Sequence, residues 1–331
     1  MINKVTILGA GAFGSAVANI VSEKDYDTKM FSIEEECVNE INSRHTNSKY
    51  VKDGVLNANV SASLDIAEAV EGTGVIFIVL PSKVTARVIY DLNRSGAKNF
   101  ARKFVLLTKG IDEVSGKFFS DLISEQFPDA DVAVMSGPNF AEELFAKKPT
   151  ITTMATKNMK FFGELENILN CNFLKLQYFG DLRAVQLCGL VKNVVAVVCG
   201  ISEGLDLGKN IFAALITRGI DEMRSFCRKF NCDENVVMTP AGVGDLVLTC
   251  SSLKSRNMSF GHKIGGGMAV EELLGDSAVT VEGVSNAKSL SNMSDRVAIN
   301  DSFSSFLLEI ISNSFTKRQL EEKITRIGLM V

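Results

Sequence analysis

Val5-Thr6-Ile7-Leu8-Gly9-Ala10-Gly11-Ala12-Phe13-Gly14 decides the fold, because an apolar, β-branched run ends there in glycines spaced G-x-G-x-x-G. Ser15-Ala16-Val17-Ala18-Asn19-Ile20-Val21 follows directly, so the pattern predicts strand, tight turn and helix. Gly9 permits the turn, Gly11 lets a pyrophosphate approach bare backbone, and Gly14 lets the helix lie against the strand. The helix N-terminus then offers unpaired N–H donors to an anion. The spacing alone also fits a glycine-rich connection with no ligand. The strand before it and the helix after it supply the context that dinucleotide binding requires.

Outward from this motif the apolar runs recur. Thr28-Lys29-Met30-Phe31 reads as a second strand, followed by Glu34-Glu35-Glu36. Glu34 stands about 20 residues past the last motif glycine, where an acidic side chain bonds the adenosine ribose hydroxyls. An alternative is that the three glutamates only favour a helix N-terminus. The nearest downstream arginine is Arg44, beyond the expected helix start, so the reading leans to NAD over NADP. Residues 44–62 are polar and rich in Asn, Ser and Gly, and are expected to form a long surface connection before helical periodicity returns at Leu64–Val70. Val75–Leu80, Phe104–Thr108 and Val132–Ser136 are three further strand-like runs, each separated from the next by a helical segment. That alternation predicts an α/β, Rossmann-like doubly wound parallel sheet. Ile151–Met154 and Leu174–Gln177 extend it, giving a dinucleotide-binding domain over 1–180.

Ligands of such sheets sit outside the carboxyl ends of the strands. Pro81-Ser82, Lys109-Gly110 and Gly137-Pro138-Asn139-Phe140-Ala141 occupy those ends. Lys109 is placed to meet an anionic substrate or the cofactor, or else is a solvent-facing loop lysine. Gly137-Pro138 fixes a rigid turn that can present Asn139 and backbone N–H groups.

Beyond Asp181 the strand signals fade and an all-α domain over 181–331 is expected. Ala184–Ile201 is apolar on every side, the pattern of a helix buried at the centre of a helical domain. Gln186, Lys192 and Asn193 are its long polar side chains, and Lys192 shares a face with Cys188, Gly189, Ala196 and Cys199. A lysine denied water has its ammonium destabilised, which turns an inert cation into a usable proton donor or acceptor. A snorkelling lysine or a structural ion pair is the other reading. Asp245 lies in the apolar, glycine-rich run Pro240–Thr249 and needs a cation; Lys192 has the matching need. Ser255-Arg256-Asn257 combines a hydroxyl, a guanidinium fork and an amide, a set suited to phosphate oxygens. The remainder, through Val279–Gly283, Phe303–Phe315 and the charged run Lys317–Lys323, completes the helical domain.

Composition restricts the function classes. With 331 residues, 46% hydrophobic and 22% charged, and a net charge of -4, the chain has no electrostatic reason to bind nucleic acid. Seven scattered cysteines without a C-x-x-C pair argue against a disulfide framework or a metal site, and fit a reducing cytoplasm. No signal segment or membrane insertion is expected. His45 and His262, the only histidines, lie in polar segments and make a poor proton relay.

With these residues assembled, the chain resembles bacterial-type NAD(P)-dependent glycerol-3-phosphate dehydrogenase along essentially its whole length. The match is carried by Gly9–Gly14, Leu80-Pro81-Ser82, Thr108-Lys109-Gly110, Ser136-Gly137-Pro138, Phe140-Ala141-Glu142-Glu143, Leu190-Val191-Lys192-Asn193, Gly242-Val243-Gly244-Asp245-Leu246, Ser255-Arg256-Asn257 and Val281-Glu282-Gly283. The resemblance implies reversible reduction of dihydroxyacetone phosphate to sn-glycerol 3-phosphate, a phospholipid precursor, by a homodimer. It implies Lys192 as general acid/base. It places Lys109, Gly137, Asn139, Asp245, Ser255, Arg256 and Asn257 around the substrate, and Ala12, Phe13, Lys109, Ala141, Arg256 and Glu282 by the cofactor. Two positions depart from the family pattern: Asn139 stands where a small hydroxyl residue is usual, and Ile33 where some relatives carry a basic or polar residue touching the adenosine ribose. Two competing functions stay open, a related two-domain hydroxy acid dehydrogenase and a non-catalytic NAD(H)-sensing protein.

Overall fold

The computed structural model describes residues 2–97, 101–275, 281–297 and 302–329. The chain divides into two units, one of Met1–Asp112 with Lys117–Leu182 and the other of Glu113–Gly116 with Arg183–Val331.

The first unit is a sheet with helices between its strands. Its strands are β1 (Lys4–Leu8), β2 (Asp27–Phe31), β3 (Thr46–Asn47), β4 (Val51–Val55), β5 (Val60–Ser63), β6 (Val75–Ile78), β7 (Lys103–Leu106), β8 (Asp131–Ser136), β9 (Thr150–Thr156) and β10 (Leu174–Phe179). Its helices are α1 (Ala12–Ser22), α2 (Glu35–Arg44), α3 (Ile66–Val70), α4 (Ser82–Arg94), α5 (Phe119–Gln126), α6 (Ala141–Phe145) and α7 (Met159–Leu169). Eight strands pair in the order β10-β9-β8-β7-β6-β1-β2-β5, with β3 and β4 in a separate antiparallel hairpin. The order reverses at β1, between β6 and β2, which puts the glycine turn at the switch point of a doubly wound sheet.

Central strands are buried on both faces, which is why their sequences read as unbroken apolar runs. At the turn, Gly9 adopts φ +115 and a Cβ there would fall 2.3 Å from the Val79 carbonyl oxygen. A Cβ at Gly14 would fall 2.0 Å from the Gly9 carbonyl oxygen, so both positions require glycine.

Two expectations are corrected. Residues 44–62 are not a plain surface connection, because they contain β3, β4 and the first three residues of β5. β5 is the polar-alternating edge strand Val60-Ser61-Ala62-Ser63, and its pairing with β2 comes from the partner strand, not from its own apolar content. The sheet is also not wholly parallel: β8 and β9 run antiparallel, Met135 opposite Met154, since only the short segment around α6 joins them.

The second unit is helical, with α8 (Leu182–Gly204), α9 (Lys209–Lys229), α10 (Asp245–Cys250), α11 (Arg256–Gly265), α12 (Val270–Gly275), α13 (Glu282–Val297), α14 (Phe303–Ser312) and α15 (Lys317–Leu329). Val279 and Thr280, expected to belong to it, lie outside the described residues. By length and composition α8 could cross a membrane, yet its most apolar window is wholly buried. Its seam with α11 is a meeting of glycines. A Cβ at Gly200 would lie 2.2 Å from the Met258 carbonyl oxygen, one at Gly204 2.3 Å from that of His262, and one at Gly261 1.9 Å from that of Val197. Backbone against backbone, the seam fixes the position of α11 along α8.

The Glu222 carboxyl of this unit is buried with no ion pair among the described residues. Glu222 Oε2 accepts the Phe303 N–H at 2.8 Å at the start of α14, while Oε1 is buried with no hydrogen-bond partner among the described residues. Burial pushes its pKa from 4.5 up to about 7, against the opposing Phe303 hydrogen bond and Arg218 charge. The folded chain therefore holds this proton more tightly than the unfolded chain. The contribution is full below 4.5 and is lost as pH climbs through 4.5 to about 7.

Two outcomes follow from this packing. Gly261→Ala is expected to cost about 3 kcal/mol, read as a lowered denaturant midpoint, because neither backbone can retreat. Glu222→Gln is expected to flatten the decline of stability with pH between 4.5 and about 7, measured by denaturation across that interval.

Candidate active site

In the second unit one amine is the centre. Lys192, at 3% exposure on α8, donates from Nζ to Asp245 Oδ1 at 2.5 Å and to Thr249 Oγ1 at 2.9 Å. Thr249 Oγ1 in turn donates to Asp245 Oδ1 at 3.2 Å, closing a triangle of three buried groups. Asp245 is 2% exposed. The pairing that Lys192 and Asp245 each needed is formed. Asp245 opens α10 and Thr249 stands one turn later, so one helical face presents both to the amine. Sequence reasoning gave Thr249 no role, although its four-residue spacing from Asp245 is the signal that could have found it.

Beside the amine, the next residue on α8 anchors a second network. Asn193 Oδ1 accepts from Asn257 Nδ2 at 3.0 Å, and Asn193 Nδ2 donates to Glu282 Oε2 at 3.4 Å. Asn257 Oδ1 accepts the Gly283 N–H at 2.9 Å. Asn257, expected to face phosphate, is therefore buried and joins α8, α11 and α13. Ser255 caps α11, its Oγ accepting the Met258 N–H at 3.3 Å. Arg256, the first residue of α11, is exposed.

The first unit holds the other candidates. α1 begins at Ala12 with Gly11 as its cap, and no side chain caps it. A Cβ on Gly11 would meet nothing within 4 Å, so the turn has open space where bare backbone is wanted. Uncapped first-turn N–H groups beside a glycine with clear space fit the pyrophosphate of a dinucleotide. Phe13 packs partly into the core, and Gly14 is buried. Lys109 and Gly110 follow β7, where Thr108 Oγ1 donates to the Leu80 carbonyl at 2.9 Å and ties two strand ends together. Gly137 is buried after β8. Asn139 is held by β9: Nδ2 donates to Thr152 Oγ1 at 3.1 Å and Oδ1 accepts from Thr150 Oγ1 at 2.8 Å. Ala141 opens α6.

Glu34 does not present a free carboxylate. It precedes α2 and accepts from Lys49 Nζ at 2.6 Å, Tyr50 Oη at 2.5 Å and Cys37 Sγ at 3.2 Å. The Lys49 ammonium, then the Tyr50 hydroxyl, hold its pKa down at about 2. Lys49 and Tyr50 lie between β3 and β4, in a polar stretch whose composition carries no signal of this pairing.

A switch-point glycine turn in one unit and one buried, paired amine in the other define an NAD(P)-dependent dehydrogenase. The family described as NAD-dependent glycerol-3-phosphate dehydrogenase matches residues 4–162 with its N-terminal part and 181–322 with its C-terminal part. The chain belongs to that family. It is 31% identical over 325 residues to the glycerol-3-phosphate dehydrogenase [NAD(P)+] of Staphylococcus saprophyticus, covering 97% of this chain and 96% of that one. Its identity to the enzyme of the same name from Macrococcus caseolyticus is 33% over 299 residues, covering 89% and 90%. The crystal structure of glycerol-3-phosphate dehydrogenase from Coxiella burnetii superposes with a TM-score of 0.91 at 29% identity, covering 98% and 99%.

Asp245→Ala is expected to destabilise the chain by about 4 kcal/mol, since it strands the Lys192 ammonium in an apolar interior. Thermal or denaturant unfolding measures it, with Thr249→Ala as a milder companion at about 1 kcal/mol.

Proposed function

We propose that the chain interconverts dihydroxyacetone phosphate and sn-glycerol 3-phosphate with NAD(P). The observation that carries the reading is the Lys192 amine, withdrawn from water and gripped by Asp245 and Thr249 within a chain of this family. When bound, the nicotinamide supplies or accepts the hydride. A ketone that receives hydride becomes an alkoxide, which needs a proton as it forms. Lys192, as the general acid, gives that proton from Nζ, and takes it back in the reverse direction. Asp245 and Thr249 orient the ammonium.

Arg256 is the residue we assign to the substrate phosphate, with its guanidinium fork at the start of α11 and the helix N-terminus behind it. Holding a remote phosphate converts binding energy into alignment of the carbonyl, worth several kcal/mol, on the order of 7 at best. Ser255 and Asn257 support that end of α11, and Lys109, Gly137 and Asn139 are the first unit's substrate residues. The glycine turn with Ala12 and Phe13, together with Glu34, Lys109, Ala141, Arg256 and Glu282, is assigned to the coenzyme. On this reading the chain is a cytoplasmic homodimer that feeds glycerol 3-phosphate into phospholipid synthesis.

The test is spectrophotometric, following NADH or NADPH oxidation with dihydroxyacetone phosphate against a hydroxy acid or its ketone. Lys192→Ala is expected to lower turnover about 10²-fold or more while coenzyme binding, read by nucleotide fluorescence, persists. Parental turnover in that variant would remove Lys192 from the chemistry. Nucleotide binding without turnover on any ketone would favour a sensing role instead.

A further inference from the structure

We propose that Glu34 and Lys49 form a coenzyme-selecting pair in which Glu34 reads the 2′-hydroxyl of NADH and Lys49 meets the 2′-phosphate of NADPH, each restraining the other. The inference rests on the dinucleotide reading of the glycine turn and deepens it.

Both members of the pair are tied to that turn. On one side the Gly9 N–H donates to the Phe31 carbonyl at 3.0 Å, which fixes the end of β2 three residues before Glu34. On the other, buried Asn47 donates from Nδ2 to the Ala10 carbonyl at 2.7 Å and to Ser15 Oγ at 2.9 Å, which fixes the hairpin two residues before Lys49. The end of the strand after the glycine turn is where the adenosine ribose is read. At that place the chain offers an acid and a base in contact, not an acid alone. Ile33, between β2 and Glu34, is 85% exposed and brings no charge of its own.

The contact is built to exchange. The Lys49 side chain is 57% exposed and that of Glu34 30%, so the pair is solvated and its strength is small compared with a buried one. A dianionic 2′-phosphate is a stronger partner for an ammonium than a monoanionic carboxylate. With a plain ribose, the acceptor capacity of Glu34 not used by Lys49, Tyr50 and Cys37 remains to accept a hydroxyl. Tyr50, bonded to Glu34 Oε1 at 2.5 Å, keeps the carboxylate in place when Lys49 turns away.

The experiment measures kcat/KM for NADPH and NADH with dihydroxyacetone phosphate, and dissociation constants for both by nucleotide fluorescence without substrate. Lys49→Met is expected to lower the NADPH:NADH ratio about tenfold by weakening NADPH, and Glu34→Gln to raise it by a similar factor. Lys49→Arg is expected to restore NADPH, which loss of fold in Lys49→Met would not explain. A ratio that stays within about twofold in both charge-removing variants, or a parental chain that ignores NADPH, overturns the proposal. The fluorescence arm needs no turnover. Failure of dihydroxyacetone phosphate as substrate, with the binding ratios shifting as stated, would sink the activity reading and leave the coenzyme pair standing.

Discussion

A charged amine inside an apolar helical unit is the constraint from which the second half of the chain is built. Taking an ammonium and a carboxylate out of water costs several kcal/mol per ion, about as much as the whole stability of a small domain, unless each finds the other at bonding distance. Lys192 lies on a helix buried on every side, so Asp245 has to be brought to it from another helix. Around that requirement α10 must present residues 245 and 249 on one face, and α11 must lie against α8 through glycines with no side chain between the backbones.

The first unit answers a different demand, the approach of a phosphate to bare backbone. There the scarce commodity is space, and glycine provides it at the turn while the sheet packs tightly on both faces. What surrounds the turn is less generic. A hairpin pinned by Asn47 to the turn and by Lys49 and Tyr50 to Glu34 closes over the end of β2. An acidic residue that looks like a simple ribose acceptor is thereby turned into half of an ion pair.

Two of the polar candidates are engaged by neighbours within the protein. Asn257 sits in a run of phosphate-friendly residues, yet its amide bonds Asn193 through Nδ2 and the Gly283 N–H through Oδ1. Asn139 has its amide bonded to Thr150 and Thr152. Hydrogen-bonding side chains of this kind are ambiguous in a sequence because they satisfy a ligand and the protein equally well.

The sequence by itself determined the strand-turn-helix at residues 5–21, the succession of buried strands, the all-round apolar helix at 184–201 and the isolation of Lys192 within it. Each of these is local: a period, a glycine spacing or a long polar residue among apolar ones is readable from neighbours in the chain. Only the tertiary structure decided that Asp245 and Thr249 reach the amine, that residues 44–62 fold into a hairpin and an edge strand, that β9 runs against β8, and that Glu34 is shared with Lys49. Those outcomes depend on contacts between residues far apart in the chain, and polar edge strands and surface charges carry no periodic signature that would announce their partners.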